Sequence, residues 1–344
     1  MIDEEEVIPA RKVRFGVLGT GRITRRLIAD LQSTERVEVT AIGSRELGRA
    51  QWCADQHGIP NPVQGYENLI RRDDVDAIYI ALPPSLHHPY SLAAAEHQKD
   101  LLCEKPLALN TKQIIEIDQA FQSNRWLDAT AWLHHPRTRA FSEWVSDGTL
   151  GKISHLSAAL SFYQPFQSND HRLKHELGGG CLLDLGWYIF GFARFFTGKQ
   201  PTAIYADTLN MGEVPQRLNA MLWFDNEITA GVSCGYDTAT RKWFEVAGST
   251  SSLICDDFTR PWHDRPTRCW IHESSGQVQS HTFEGNQERK MIETLIGNEC
   301  LRSFQQQAID TMKIIDAAEI SINNRQKIAL PAMTENQDHY PQIS

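Results

Sequence analysis

With 344 residues, 41% of them hydrophobic and 22% charged, the chain is long enough for two globular domains, and its composition is neither that of a disordered protein nor that of a membrane protein. A formal charge of −9 argues against a nucleic-acid binder, which needs a net basic face, and leaves a small molecule as the expected partner. The seven cysteines are scattered and never form a CxxC pair, so no disulfide framework or metal site is readable and a reducing, cytoplasmic setting fits.

The chain opens on the acidic stretch MIDEEEVIPARK, unlike the basic start of a signal peptide, and residues 1–10 are expected to form a mobile arm. No later stretch approaches the roughly 20 uninterrupted apolar residues of a membrane span. From Lys12 onward, β-branched runs (VRFGVLG, VEVTAIGS, VDAIYIALP, DLLCEKP, WLDATAW) alternate with segments of helical spacing such as ITRRLIADLQS and TKQIIEIDQAFQSN. Near-continuous apolar strands between helices imply a parallel sheet covered on both faces. The spacing therefore predicts a doubly wound, Rossmann-type α/β domain over residues 11–131.

The first turn of that domain, GVLGTGRIT, follows a strand and opens a helix. In a dinucleotide-binding turn Gly19 would make the tight bend, Gly21 would let the backbone approach a pyrophosphate, and the free N–H groups around Arg22 and Ile23 would face the phosphates. Thr24 occupies the usual third glycine position. At the end of the second strand, Ser44 and Arg45 stand where NAD enzymes carry an acidic residue for the ribose hydroxyl, a pattern that favours NADP over NAD. Arg45 reads equally as a solvated residue or as one that stacks on adenine.

Further along, IALPPSLHH places Leu82 and Pro83 directly after a strand end, a rigid crevice wall at the carboxyl edge of the sheet, with His87 inside it. Two roles for His87 stand side by side: touching a nicotinamide, or filling a polar gap. The next strand ends on the same edge in CEKP, which puts Glu104 and Lys105 near the expected nicotinamide end of a cofactor, with Pro106 fixing the backbone; an ordinary surface lysine is the alternative. In the second half, ELGGGCLLDLGWYIFGFARFF predicts a sharp glycine turn followed by one apolar helix from Cys181, with Asp184 and Tyr188 on one face. A carboxylate in so apolar a helix must be paired or functional.

Taken in order, GVLGTGRI, SRELGRA, LPPSLH, CEKPLAL and GGGCLLDLGWY resemble the glucose-fructose oxidoreductase/inositol dehydrogenase (Gfo/Idh/MocA) family across residues 12–330, nearest the branch of dimeric dihydrodiol dehydrogenases and D-xylose dehydrogenases. Many members carry histidine where this chain has Tyr188, and arginine where it has Leu133. The resemblance implies a second domain, residues 132–344, an α+β unit with a large, mainly antiparallel sheet. The alternating segments KISHLSAALSFY, TAIYADTL, RLNAMLWF, EITAGVSCGY, KWFEVAG and SSLICDD agree. It also implies a homo-oligomer, a dimer formed through that sheet.

The implied activity is hydride transfer between NADP, or NAD, and a hydroxyl or carbonyl of a sugar or vicinal diol. Lys105, Asp184 and Tyr188 are the catalytic candidates, Tyr188 acting as acid/base with a phenol lowered by Lys105. Trp132, Phe162 and Trp262 fall at aromatic pocket positions, and Arg172 is a further pocket candidate. No metal is expected. The alternatives are an NAD-dependent glycosidase of the same fold and a non-catalytic dinucleotide or sugar sensor.

Overall fold

Runs such as Phe15 to Leu18 and Ala77 to Ile80 are fully buried, which is why they form central parallel strands with helices on both faces. The structure is a computed structural model and describes residues 11–225, 227–261 and 265–330. Residues 1–10, expected to form an arm, and Trp262 lie outside the described residues.

Strands β1 (Val13–Leu18), β2 (Val37–Ser44), β3 (Asn61–Gln64), β4 (Ala77–Ile80), β5 (Asp100–Cys103) and β6 (Trp126–Asp128) form a parallel sheet in the order β3-β2-β1-β4-β5-β6. They are joined through α1 (Arg22–Ser33), α2 (Leu47–His57), α3 (Tyr66–Ile70), α4 (His87–Glu96) and α5 (Thr111–Ala120). The order reverses between β1 and β4, and open sheets of this kind bind ligands in the crevice beyond the strand ends at such a point. The five expected runs omit β3, an edge strand of four residues that includes Pro62 and carries no apolar alternation.

After α6 (Pro136–Ser146) comes the second sheet. It contains β7 (Ile153–Ser161), β8 (Ala203–Met211), β9 (Val214–Trp223), β10 (Thr229–Gly235), β11 (Arg241–Gly248), β12 (Ser251–Cys255), β13 (Thr267–Glu273), β14 (Val278–Phe283) and β15 (Ile328–Ala329). Their order is β14-β13-β12-β11-β7-β10-β9-β8-β15, antiparallel throughout except for the parallel β7–β10 pair. The six alternating segments of the sequence are β7 to β12. Strand β14 is mostly exposed and β15 has two residues, so neither carries a legible buried face.

One face of this sheet packs on α8 (Gly186–Thr197) and α10 (Arg302–Asn324), with α7 (Cys181–Asp184) before α8 and α9 (Gln287–Ile296) before α10. Cross-strand register lines Tyr205, Met221, Gly231, Ser157, Glu245, Ile254 and Trp270 into one row on the opposite face, where Tyr205 and Met221 are 41% and 38% exposed.

Helix α10 also packs on α5 and β6 of the first sheet. Arg302 pairs with Asp118 at 2.8 Å, and the Asp316 carboxylate accepts from the Thr111 N–H at 2.9 Å. The apolar helix expected from Cys181 is in fact two. Leu185 separates α7 from α8, and its carbonyl accepts from Tyr188 N–H in a three-residue turn before the regular ladder resumes.

Candidate active site

A cavity of about 450 Å³ opens at the carboxyl edge of the parallel sheet, between α1, the turns after β4 and β5, and the α7–α8 junction. Helix α1, opened by the turn after β1, supplies one wall through Ile23, Arg26 and Leu27. Gly19 has φ +108°, and a Cβ there would lie 2.5 Å from the Ala81 carbonyl oxygen, so glycine is required by both conformation and space. At Gly21, which precedes α1, a Cβ would meet nothing within 4 Å, and no side chain caps the first turn of the helix. Uncapped N–H groups facing open space fit a dinucleotide's pyrophosphate. Ile23 and Leu82 line the cavity, whereas Arg22 is exposed and Pro83 gives place to Pro84 on the wall. Thr24 is wholly buried with an unpartnered hydroxyl.

The opposite wall is built around one ion pair. Lys105 Nζ donates to Asp184 Oδ1 at 2.7 Å and to the Asp184 carbonyl oxygen at 2.8 Å, with side chains only 12% and 16% exposed. On the other carboxylate oxygen, Oδ2, Arg172 Nε donates at 2.8 Å and the Tyr236 hydroxyl at 2.8 Å. Burial opposes the charge on Asp184, but Lys105 and Arg172 outweigh it and hold the carboxyl well below the usual range. Burial likewise opposes the charge on Lys105, and Asp184 and Tyr188 more than offset it, so the amine is raised and stays an ammonium.

Tyr188 lies under that ammonium, Nζ 4.7 Å from its ring centroid. The break between α7 and α8 does not separate Asp184 from Tyr188, since both converge on Lys105. The expected lowering of the Tyr188 phenol is not found. Burial raises it, and the Lys105 charge offsets only part of that effect, with Glu104 working against it. Tyr188 therefore holds its proton. Glu104 lines the cavity and accepts from the Tyr79 hydroxyl at 2.8 Å, and burial raises its carboxyl.

His87 is 1% exposed, its ring nitrogens 2.8 Å from the Pro106 carbonyl oxygen and 2.7 Å from that of Leu82. Burial lowers it to about 4, so the neutral ring has one N–H to donate to one of these two carbonyls, and it packs between the two turns that form the wall. Phe162 and Arg172 line the cavity. Trp132 does not: its ring is 1% exposed and packs edge-on against Phe195 and Phe258, in a core that leaves no face for a substrate. Leu133, at the arginine position, is also core. Ser44 is buried at the end of β2 and Arg45 is exposed beside it, away from the cavity. The residues missed by sequence reasoning are Tyr236, one place beyond β10, and the Arg260–Glu288 pair at 3.1 Å on the α9 side. Among the described residues no cluster of His, Cys, Asp and Glu side chains is arranged for a metal ion, and no helix is long and apolar enough to cross a membrane.

Residues 13–127 match an oxidoreductase family with an NAD-binding Rossmann fold, and residues 138–254 match the Gfo/Idh/MocA C-terminal domain. The chain belongs to the Gfo/Idh/MocA family of oxidoreductases. It is 30% identical over 315 residues to a D-xylose 1-dehydrogenase (NADP(+)) of Haloferax volcanii, covering 88% of this chain and 95% of that one. A trans-1,2-dihydrobenzene-1,2-diol dehydrogenase of Xenopus laevis is 31% identical over 198 residues, 56% of this chain and 59% of the relative. Among solved structures, a 3-ketoreductase from Actinomadura kijaniata in complex with NADP and TDP-benzene superposes with a TM-score of 0.85 at 27% identity, covering 91% of this chain and 98% of that one.

The ion pair makes an acid-side prediction. Because the folded carboxyl is depressed, the stability contributed by Asp184 is fully present above the unfolded value of about 3.9 and is lost as pH falls toward the folded value. Asp184→Asn leaves Lys105 and Arg172 without their carboxylate. Urea unfolding at pH 7 should show a loss of about 3–5 kcal/mol, and the difference from wild type should narrow below pH about 4.

Proposed function

We propose that the protein is an NADP-dependent oxidoreductase that interconverts a hydroxyl and a carbonyl on a sugar or vicinal diol, with residues 11–131 as the cofactor domain and residues from 132 onward as the substrate domain. The observation that carries this reading is the Lys105 ammonium, held by Asp184 over Tyr188 in a cavity also lined by Ile23 of α1, the helix that the glycine turn opens. The similarity to a D-xylose 1-dehydrogenase (NADP(+)) and to a 3-ketoreductase in complex with NADP supports it.

Bound at the glycine turn, the nicotinamide coenzyme supplies or accepts the hydride. The protein's own groups handle the oxygen and its proton. Lys105 donates a hydrogen bond to the substrate oxygen and stabilises negative charge there. Tyr188 enters with its proton on Oη and delivers it to that oxygen when a carbonyl is reduced. Oxidation runs the same transfer in reverse and needs the phenolate, which burial disfavours and Lys105, with a smaller contribution from Arg260, favours. Asp184 already accepts four hydrogen bonds, three of them on its carboxylate, so its part is to hold Lys105. Phe162 offers an apolar wall suited to the C–H face of a ring.

NADP is preferred at the end of β2, where Ser44 and the exposed Arg45 stand in the place of the acidic residue that would bind a ribose hydroxyl. The row of Tyr205, Met221 and Ile254 on the open sheet face supports assembly as a dimer through that face. Six of the seven cysteines are buried and all are free thiols, which suits the reducing cytoplasm.

Four outcomes follow. Fluorescence titration should show NADPH binding at least tenfold tighter than NADH, and Arg45→Glu should erase most of the difference; equal affinities would remove the NADP assignment. Tyr188→Phe should lower turnover about 100- to 10,000-fold with NADPH affinity nearly unchanged. In wild type the oxidative rate should climb with pH through 9 without levelling, while the reductive rate stays flat, because the phenol titrates above its ordinary value. Met221→Asp should shift the sedimentation coefficient from dimer to monomer, and an unaltered boundary would place the interface elsewhere.

A further inference from the structure

Asp184 has one partner that no charge balance requires. Tyr236 is 2% exposed, and its hydroxyl donates to the same Asp184 oxygen that Arg172 occupies. Its main chain is pinned on both sides: the Tyr236 N–H donates to Gln216 O at 3.0 Å, and its carbonyl accepts from Gln164 N–H at 3.1 Å. Its ring lies 5.6 Å from Phe162 and stands edge-on to Phe166 at 4.8 Å, while the Arg172 guanidinium sits 6.0 Å over the Phe166 ring. Burial, reinforced by the Asp184 charge, pushes the Tyr236 phenol well above its ordinary value, so the group is a permanent donor.

We infer that Tyr236 is a positioning residue: through Asp184 it fixes the Lys105 ammonium over Tyr188, and through Phe162 and Phe166 it ties that geometry to the aromatic wall of the cavity. The inference rests on the roles proposed above for Lys105 and Tyr188. Its physical basis is the count of acceptors on Asp184. With Oδ2 filled by Arg172 and Tyr236, only Oδ1 is left for Lys105, and the carboxylate cannot rotate without breaking a hydrogen bond at 2.8 Å. Without the Tyr236 hydroxyl, Oδ2 has spare capacity, and Lys105 can swing between the two oxygens. A displacement of about 1 Å at a reacting group costs on the order of 100-fold in rate at the extreme. The remaining Arg172 contact limits the expected loss to about 5- to 20-fold.

Tyr236→Phe keeps the ring and its packing and removes only the hydroxyl. Two readouts decide. In ¹⁵N-labelled protein the Lys105 ammonium signal, identified by its disappearance in Lys105→Met, should shift in Tyr236→Phe and exchange its protons about tenfold faster. In NADP-dependent D-xylose oxidation kcat should fall about 5- to 20-fold with the KM for NADP unchanged, and Tyr236→Leu should fall further. An unchanged ammonium signal overturns the inference whatever happens to kcat, and so does a wild-type kcat in Tyr236→Phe, which would reduce Tyr236 to packing. Failure of wild-type protein to oxidise D-xylose counts against the substrate reading alone, and the ammonium signal then decides the inference by itself.

Discussion

An ammonium group in a cavity wall can be held there only beside a compensating anion, and the contact between Lys105 and Asp184 is the constraint on which this site depends. Lys105 comes from the turn after β5 and Asp184 from the end of α7, 79 positions later, so the pair joins the parallel sheet to the second half of the chain. Because both groups are mostly withdrawn from water, a small error in docking would strand two charges. The site thus obliges the two halves to meet in one arrangement, and it adds Arg172 and Tyr236 on the far side of the carboxylate to keep it.

The same electrostatics decide the state of the phenol. Lys105 draws the Tyr188 proton off, whereas burial and Glu104 hold it on, and burial wins. A tyrosine placed to act as a base would need the reverse balance. In the role proposed for it, Tyr188 therefore enters as the proton donor.

Much of this was legible in the residues themselves. The glycine turn announced itself because Gly19 must adopt a conformation that other residues avoid, and CEKP because a lysine followed by proline is out of place at the end of a buried strand. The Asp184 carboxylate stood out because an apolar helix does not carry one without a partner. Other features left no local mark. Tyr236 is the last residue of an unexceptional alternating segment, and its role depends on a neighbour 52 positions away. Trp132 has the composition of a pocket aromatic and the surroundings of a core one, a difference that only packing reveals. The break at Leu185 was hidden because no proline marks it and the apolar spacing of α7 continues into α8.

Helix α10 is the last helix described, yet it packs against α5 and β6 of the first sheet, fastened by Arg302 on Asp118 and Asp316 on Thr111. Synthesis proceeds from the N-terminus, and domains generally fold as their residues emerge. Here the first sheet cannot finish burying its β6 edge until some 300 residues have left the ribosome. The nascent chain must therefore carry an unfinished apolar seam along β6 until α10 closes it.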